Sequence, residues 1–334
     1  MKAGINEETR KNQSFSFLLK VLIFLLIVFA LDFAIGSLLR YYYFKQTSGF
    51  YYRTTYSLEE TKADVLIFGS SKANHQFYPD IFEKRLNLSY YNVGRDGSSI
   101  FYHYSILQSV LKRYIPKIII LEMTREFEKK QISYDRISML LPYYESNPSV
   151  RPIIKLRSRF EKFKMISKIY PYNSLLFSIV SGNSEFNRSR NSDIKGYVPL
   201  TREWTVPIQH FSVPFKDQID STKIKIFESF IKACNNSGVK LYIVASPNYY
   251  IMDYVDRSNL IAMQIARKYG VQFFNYSNDS LFLATPSYFA DNMHLNDKGA
   301  ISFSKILVEE IIKDYFPQKE KESKENNQFI LRNN

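Results

Sequence analysis

The stretch VLIFGSSKANH, from Val65 to His75, decides the fold. Its first four residues are apolar and lack polar alternation, which predicts a strand buried on both faces. Gly69 and two serines then end the apolar run. In a parallel sheet, functional side chains gather beyond the carboxyl ends of the strands. Ser71 is therefore either a nucleophile at the end of a strand or simply a residue of a tight turn.

Four further apolar runs predict buried strands, and helical patterns separate them. The runs lie at 90–93, 117–122, 240–245 and 272–275, and the helices at 101–114, 221–238, 257–270 and after Asn296. Alternating β and α segments are typical of a parallel sheet with right-handed crossovers. We expect an α/β fold, a three-layer flavodoxin-like sandwich around a central five-stranded parallel sheet.

An apolar run precedes this domain. Residues 15–39 contain only two charged side chains, Lys20 and Asp32. About 20 helical residues, each rising about 1.5 Å, cross the hydrocarbon of a bilayer. The run predicts one N-terminal transmembrane helix; a cleaved signal peptide and a core helix are the alternatives. Asp32 either contacts a partner in the membrane or lies near the outer interface.

The charges around the apolar run give an expected topology. The distribution of lysine and arginine on the two sides of the run favours a cytoplasmic location for the N-terminal residues 1–14. We therefore expect a single-pass protein of the bacterial inner membrane with its large domain outside. A tyrosine-rich juxtamembrane linker is expected at 40–62 and the α/β domain at 63–318. The charged segment 319–334 is expected to be a disordered tail.

One region departs from the strand and helix alternation. The region at about 128–215 is rich in Arg, Lys, Tyr and Ser, and we expect it to be a helical insertion. Within it, 151–170 has the pattern of a basic amphipathic helix. An insertion of this length is expected to be a lid, a partner surface or a membrane-facing patch, or else to cover one face of the sheet.

Composition narrows the classes of partner. The chain has 45 Lys and Arg against 32 Asp and Glu, an excess that favours anionic partners such as lipid headgroups or acidic glycans. No zinc-finger spacing or RNP-like motif occurs, so no nucleic acid is expected as a partner. Cys234 is the only cysteine, which rules out an internal disulfide. Without a glycine-rich phosphate loop or clustered metal ligands, we expect neither a cofactor nor a metal.

A serine nucleophile needs a base, and that base needs an orienting carboxylate. Asp291 and His294 stand three residues apart in a loop before the last helix. At this spacing the carboxylate can accept from the imidazole Nδ1–H, which leaves Nε2 free to face a serine. Alone, the pair is more typical of a helix-entry turn. Asn296, just beyond, is suited to cap the helix.

These motifs together resemble the SGNH hydrolases, the GDSL superfamily. The first family block is a strand followed by Gly-Asp-Ser; here it reads IFGSS, with Ser71 in the nucleophile's place and Ser70 replacing the Asp. That replacement resembles the membrane-anchored envelope members, such as the proteins of polysaccharide O-acetylation and D-alanyl transfer. Asn92 and Gly97 match the second block. The resemblance covers approximately residues 63–316.

The last family block, Asp-x-x-His, completes the resemblance and implies a catalytic triad. Ser71 is then the nucleophile, His294 the base and Asp291 its orienting carboxylate. Backbone N–H groups of Ser71 and Gly97 would form the oxyanion hole. The family's Gly-x-Asn-Asp block, whose Asn gives a third donor, is absent here. Residues near its position are Thr124 and Arg125.

Three further side chains are candidates for substrate binding: His75, Asn92 and Asn248. His75 can equally brace the loop behind the serine, and Asn248 can belong to a simple strand-exit turn. The resemblance implies hydrolysis of acyl esters, O-acetyl above all, on a cell-envelope or exported glycan. One alternative is an O-acyltransferase supplied by an integral-membrane acyl donor protein. Another is a non-catalytic SGNH-like module that binds glycan or organises an export complex.

Overall fold

The computed structural model describes residues 7–184, 193–212, 218–254 and 256–316. The predicted tail at 319–334 lies outside the described residues, as does the start of the predicted N-terminal segment, 1–6. The described chain is a mixed α/β fold around a five-stranded parallel sheet, preceded by one long apolar helix. These coarse features of the sequence prediction are confirmed.

Five strands form the central sheet, in the order β2-β1-β3-β5-β7, and every neighbouring pair is parallel. A separate parallel pair, β4 with β6, lies outside it. The bounds are β1 Val65–Phe68, β2 Tyr90–Asn92, β3 Ile118–Glu122, β4 Gln209–Phe211, β5 Lys240–Ala245, β6 Tyr250–Met252 and β7 Gln272–Asn275. The central strands are the five predicted runs.

Helices connect the strands. They are α1 Glu7–Phe44, α2 Gly49–Thr55, α3 Ser71–Gln76, α4 Pro79–Leu86, α5 Ile100–Leu111, α6 Gln131–Asp135, α7 Arg151–Ile154, α8 Glu161–Lys164, α9 Leu176–Gly182, α10 Ser221–Asn236, α11 Arg257–Lys268, α12 Ser280–Leu283 and α13 Asp297–Tyr315. A π-helical turn spans Tyr56–Glu60, and 3-10 turns span Arg136–Tyr143, Pro148–Val150, Tyr170–Tyr172 and Pro286–Tyr288. The predicted cap of the last helix is confirmed, because the Asn296 side chain accepts from Gly299 N–H at 3.1 Å.

Side chains of the central strands alternate between two hydrophobic clusters. In β1, Leu66 and Phe68 belong to the first cluster, whereas Val65 and Ile67 belong to the second. All four are fully buried. This burial on both faces explains why the sequence of β1 is continuously apolar rather than alternating.

The first helix is long and apolar enough to cross a membrane, and its apolar side chains are exposed. It continues beyond the predicted span to Phe44, where Leu39 and Tyr43 enter the first cluster. Leu58, in the π-helical turn, is buried in the same cluster. Residues 40–62, expected as a linker, therefore pack as part of the folded domain.

The insertion departs from its predicted secondary structure. Instead of one amphipathic helix over 151–170, the chain forms α7, α8 and a 3-10 turn separated by bends. The Ser158 hydroxyl accepts from Phe160 N–H at 3.2 Å, a local bond that competes with helical pairing. Local bonding therefore overrides the amphipathic pattern.

Gly69 is the position in the sheet that we expect to tolerate substitution least. Its φ is +144°, and an added Cβ would lie 2.7 Å from Ala73 Cβ and 2.8 Å from Glu122 Cβ. We expect Gly69→Ala to lower the free energy of unfolding by about 1–3 kcal/mol from backbone strain, with the steric clash adding to it. Denaturant unfolding of the full chain in detergent measures this loss.

Gly238→Ala is the matched control. Gly238 also has a positive φ, +71°, but an added Cβ there would meet nothing within 4 Å. For Gly238→Ala, the free energy of unfolding should fall by no more than the cost of placing alanine in the left-handed region, about 1–2 kcal/mol. Equal losses for the two variants would contradict the steric argument.

Candidate active site

The turn after β1 places Ser71 at the carboxyl edge of the sheet. Ser71 begins α3, two residues after Gly69. The loop after β2 runs alongside this turn, because Arg95 N–H donates to the Gly69 carbonyl at 3.1 Å. Val93 N–H donates to the Ile67 carbonyl at 2.9 Å and extends the contact between the two strands. Two of the predicted motifs therefore meet here.

Ser71, His294 and Asp291 form a continuous hydrogen-bonded chain. The distance from His294 Nε2 to Ser71 Oγ is 2.7 Å. On the other side of the ring, Nδ1 lies 2.9 Å from Asp291 Oδ1 and 3.0 Å from Oδ2. A carboxylate only accepts, so Nδ1 carries the proton and Nε2 is left to accept from the serine hydroxyl. This arrangement can deprotonate a nucleophilic serine.

The loop from 290 to 294 holds the carboxylate of Asp291 in place. Asp291 Oδ1 accepts from Met293 N–H at 2.8 Å and from His294 N–H at 2.9 Å. Burial alone would raise the pKa of Asp291, but these bonds and the His294 side chain lower it to about 2. Asp291 is therefore a carboxylate throughout the physiological range.

Asn92 is turned toward the protein, which corrects its expected role in substrate binding. Its Nδ2 donates to the Ala73 carbonyl at 2.6 Å, and its Oδ1 accepts from Gly94 N–H at 2.9 Å. The side chain is buried. Asn92 therefore ties the loop after β2 to α3, and its amide is committed to that contact.

Gly97 lies in the turn that this loop makes beside α3. Its φ is +67°, and Arg136 Nη1 donates to its carbonyl at 2.8 Å. Asp96, the residue before it, accepts from Asn74 Nδ2 of α3 at 2.7 Å. The structure thus brings the predicted oxyanion loop next to the helix that carries Ser71.

His75 lines the site beside His294. The two rings are perpendicular, with centroids 5.8 Å apart. His75 Nδ1 donates to the Val198 carbonyl at 2.7 Å, and Nε2 lies 3.3 Å from Asp96 Oδ1. Burial raises the pKa of Asp96, but bonds from His75 and Asn74 outweigh it, so the net pKa is lowered. His75 lies next to the site and is also bonded to the loop that carries Asp96. Its position is therefore compatible with substrate binding and with bracing the loop behind the serine.

The side chains of Thr124 and Arg125 are both engaged with carboxylates. Thr124 Oγ1 donates to Glu122 Oε1 at 2.5 Å, and Arg125 Nε donates to Glu128 Oε1 at 2.5 Å. Arg125 also has a positive φ of 51°. Both side chains are therefore engaged with carboxylates, which disfavours either of them as the third oxyanion donor.

Asn248 is likewise directed inward, which corrects its expected role in substrate binding. It is buried, and its Oδ1 accepts a short hydrogen bond from Lys72 Nζ. Lys72 directly follows the serine and also donates to the carbonyls of Ser246 and Pro247, at 3.2 and 3.3 Å. Lys72 therefore fastens α3 to the loop after β5.

Lys72 and Glu122 are two buried titratable side chains that influence each other electrostatically, and sequence reasoning missed both. Burial lowers the pKa of Lys72 to about 8, with the Glu122 carboxylate opposing that change. Burial raises the pKa of Glu122, opposed by Lys72 and the Thr124 hydroxyl. The position of a lysine after the serine gives no sign of burial, because the residues that cover it are distant in sequence.

Two exposed arginines from the insertion also reach the site. Arg136 contacts the Gly97 carbonyl, as above. Arg202 Nε donates to the Ala290 carbonyl at 2.8 Å, and its Nη2 lies 3.8 Å from Asp291 Oδ2. Both arginines were missed from sequence, since the basic insertion offers no local signal for which cations contact the loops that carry Gly97 and Asp291.

The returning end of the insertion braces the site. Asn92 N–H donates to the Lys195 carbonyl at 2.9 Å, and Val198 N–H donates to the Asn74 carbonyl at 2.9 Å. Gly196 approaches β2 so closely that an added Cβ would lie 2.0 Å from the Asn92 carbonyl oxygen. The insertion is thus a structural part of the site, whatever its further role.

Comparison with known proteins finds no matching family model and no matching curated protein. The family resemblance therefore rests on the motifs and their geometry alone.

The lowered pKa of Asp291 predicts a specific pH dependence. The group titrates near 2 in the folded chain and near 3.8 in the unfolded chain, so its contribution to stability is present above about pH 4. That contribution is lost as the pH falls toward 2. We expect the stability difference between the native chain and Asp291→Asn to be about 2 kcal/mol larger at neutral pH than at about pH 2.

Unfolding in detergent at several pH values measures that difference. Asp80→Asn is the control, because Asp80 is exposed and its pairing with Lys84 is a surface ion pair, worth about 0–1 kcal/mol. Its effect should change little with pH. A stability difference for Asp291→Asn that stays constant across the range would show that the carboxylate gains nothing from His294.

Proposed function

We propose that this chain is a membrane-anchored SGNH-type serine enzyme that cleaves acyl esters, chiefly O-acetyl, on a cell-envelope or exported glycan. The observation that carries the proposal is the 2.7 Å contact between Ser71 Oγ and His294 Nε2, with Asp291 on the far side of the ring. The two ends of this contact lie 223 residues apart in the chain. The strand order also fits a flavodoxin-like, three-layer arrangement.

The first half of the reaction forms an acyl-enzyme. Ser71 Oγ attacks the ester carbonyl carbon while His294 Nε2 takes the hydroxyl proton, and Asp291 stabilises the resulting imidazolium. The tetrahedral intermediate then collapses: its bond to the alkoxy oxygen breaks, and the imidazolium returns the proton to that leaving oxygen. The acyl group is left on Ser71, and the glycan departs with a free hydroxyl.

The second half releases the acyl group. A water molecule gives its proton to His294 Nε2 and attacks the acyl carbonyl, after which the proton passes to Ser71 Oγ as the acyl bond breaks. The products are a carboxylic acid and the original serine. If a sugar hydroxyl replaces water in this step, the same residues perform an O-acyl transfer.

Oxyanion stabilisation in this proposal comes from backbone groups. The N–H groups of Ser71 and Gly97 would bind the developing negative charge. With Thr124 and Arg125 engaged elsewhere, a third donor is missing, which typically costs about 2.7–4 kcal/mol in the transition state. We therefore expect a slow enzyme. The engagement of Thr124 and Arg125 with carboxylates also favours the alternative, a non-catalytic SGNH-like module that binds glycan or organises an export complex.

The surroundings of the serine support an anionic polymer as substrate. Arg136 and Arg202 are exposed at the site, and the whole chain carries a net charge of +13. The apolar α1 supports attachment to the bacterial inner membrane with the catalytic domain outside the cytoplasm. An integral-membrane acyl donor is a partner in the transferase version of the reaction.

Hydrolysis of a chromogenic acetyl ester by the full chain tests the proposal. We expect Ser71→Ala and His294→Ala each to lower kcat by about 10³-fold or more, since the members of such a triad act as a unit. Ser70→Ala and His210→Ala are matched controls, because neither side chain belongs to the triad. A fluorophosphonate probe should label the peptide that contains Ser71. Equal turnover by the native chain and both triad variants would favour the non-catalytic module.

The fate of the acetyl group separates an esterase from a transferase. With an acetyl ester and an added oligosaccharide, we expect free acetate as the main product, because the site as described opens to solvent at His294. Mass spectrometry of the oligosaccharide measures transfer directly. Acetylated sugar formed at a rate comparable to acetate, and lost in Ser71→Ala, would make the enzyme an O-acyltransferase.

A further inference from the structure

One segment of the insertion exposes an unusual amount of apolar surface. Residues 155–180, which we call the lateral segment, expose Phe163 at 66% and Phe177 at 84% of their surface. The other exposed large apolar side chains of the segment are Leu156, Phe160, Ile166, Leu176 and Val180. Soluble proteins rarely leave so many apolar side chains together in water. This surface therefore requires an occupant.

The lateral segment is bonded directly to α1. Both carboxylate oxygens of Asp32 accept from it: Oδ1 from Ser167 Oγ at 2.5 Å, and Oδ2 from Lys168 N–H at 2.7 Å. One turn further along α1, Gly36 allows a close approach, since an added Cβ would lie 2.3 Å from the Lys168 carbonyl carbon. The lateral segment is thus held against α1 at the height of Asp32 and Gly36.

A second contact fixes the other end of the segment. Helix α9 packs on α1, and just beyond it Asn183 Nδ2 donates to the Tyr42 carbonyl at 2.9 Å. The Tyr172 ring lies 5.7 Å from the Tyr43 ring. The lateral segment therefore runs beside α1 between the levels of Asp32 and Tyr43.

The position of Asp32 in α1 gives the depth of this contact. About 20 helical residues span the hydrocarbon core of a bilayer. Within the apolar run 15–39, such a span begins between Phe15 and Lys20. The core then ends between Ala34 and Leu39. At about 1.5 Å per residue, Asp32 lies about 3–10 Å inside the hydrocarbon boundary on the domain side. The residues bonded to Asp32 share that depth.

The charges of the lateral segment match a lipid surface. It carries six basic side chains and a single acidic one, Glu161. Glu161 is buried and already paired, with Lys164 Nζ at 2.8 Å and Arg157 Nη1 at 3.2 Å. The net positive charge therefore faces its surroundings. Each Lys or Arg near an anionic membrane surface contributes about 1 kcal/mol of attraction.

We propose that the lateral segment is an interfacial membrane-binding surface. It places the exposed apolar side chains near Asp32, above all Phe163 and Ile166, at the boundary between headgroups and acyl chains of the leaflet on the domain side. Its basic side chains lie on anionic phospholipid headgroups. The polar contacts from 167–168 satisfy the Asp32 carboxylate at a depth where water is scarce. The proposal rests on the proposed membrane anchor and is independent of the ester chemistry.

Depth-dependent fluorescence quenching of the full chain in nanodiscs tests the proposal. Single cysteines are introduced by Ile166→Cys, next to the Ser167 that bonds to Asp32, and, as an anchor control, by Phe24→Cys, and each is labelled with an environment-sensitive dye. Leu281→Cys is the matched surface control: Leu281 is exposed, but the adjacent Phe282 packs in the second hydrophobic cluster, whereas α1 packs in the first. The native Cys234 is buried, so labelling is directed to the introduced thiols.

With a nitroxide quencher near the headgroup end of the lipid chains, we expect several-fold stronger quenching at position 166 than at 281. Quenching at 24 without quenching at 166 would overturn the proposal and leave the surface to a protein partner. The absence of quenching at 24 would overturn the anchor as well. These quenching results do not depend on ester hydrolysis. Failure of the proposed enzyme function is therefore distinguishable from failure of the membrane-binding proposal.

The lipid composition tests the charge argument. Quenching at 166 should be stronger in nanodiscs of phosphatidylglycerol than in nanodiscs of phosphatidylcholine, and high salt should reduce the difference. Equal quenching in both lipids would overturn the assignment of an anionic surface.

Discussion

The close packing at the end of β1 is the constraint on which the site depends. Gly69 lies against both Ala73 and Glu122, with no space for a side chain between them. The chain can therefore turn sharply and begin α3 at once, which sets Ser71 on the edge of the sheet. A wider turn would move the hydroxyl away from His294, and a contact of 2.7 Å tolerates little displacement.

The sequence predicted the elements whose signals are local. Short runs of apolar and aromatic residues marked all five central strands. In β1 and β3 every residue is buried, whereas the edge strand β7 is exposed at Gln272 and Asn275. The helix predicted after Asn296 forms as α13 and buries Phe303, Leu307 and Ile311 in the second hydrophobic cluster. Asp291 and His294 were predicted as a bonded pair because three residues of loop suffice to join them. Their catalytic roles stay predictions.

What the sequence did not reveal depends on partners far along the chain. Asn92 and Asn248 stand where substrate-binding residues were expected, yet their amides serve Ala73 and Lys72. No periodicity predicts such pairings, since the partners come from different strands and loops. The same limit applies to Thr124, whose hydroxyl is engaged by Glu122. Only the folded arrangement distinguishes a group that faces the site from one that supports it.

The unbroken course of α1 into the domain has a mechanical consequence. The helix ends among core residues, where the Tyr43 and Tyr143 hydroxyls lie 3.2 Å apart. A domain on a flexible linker would sample many orientations relative to its anchor. Because α1 continues into the core without a break, the domain and Ser71 instead keep a fixed distance and orientation relative to the apolar helix. Under the proposed function, the substrate has to reach Ser71 at that fixed position.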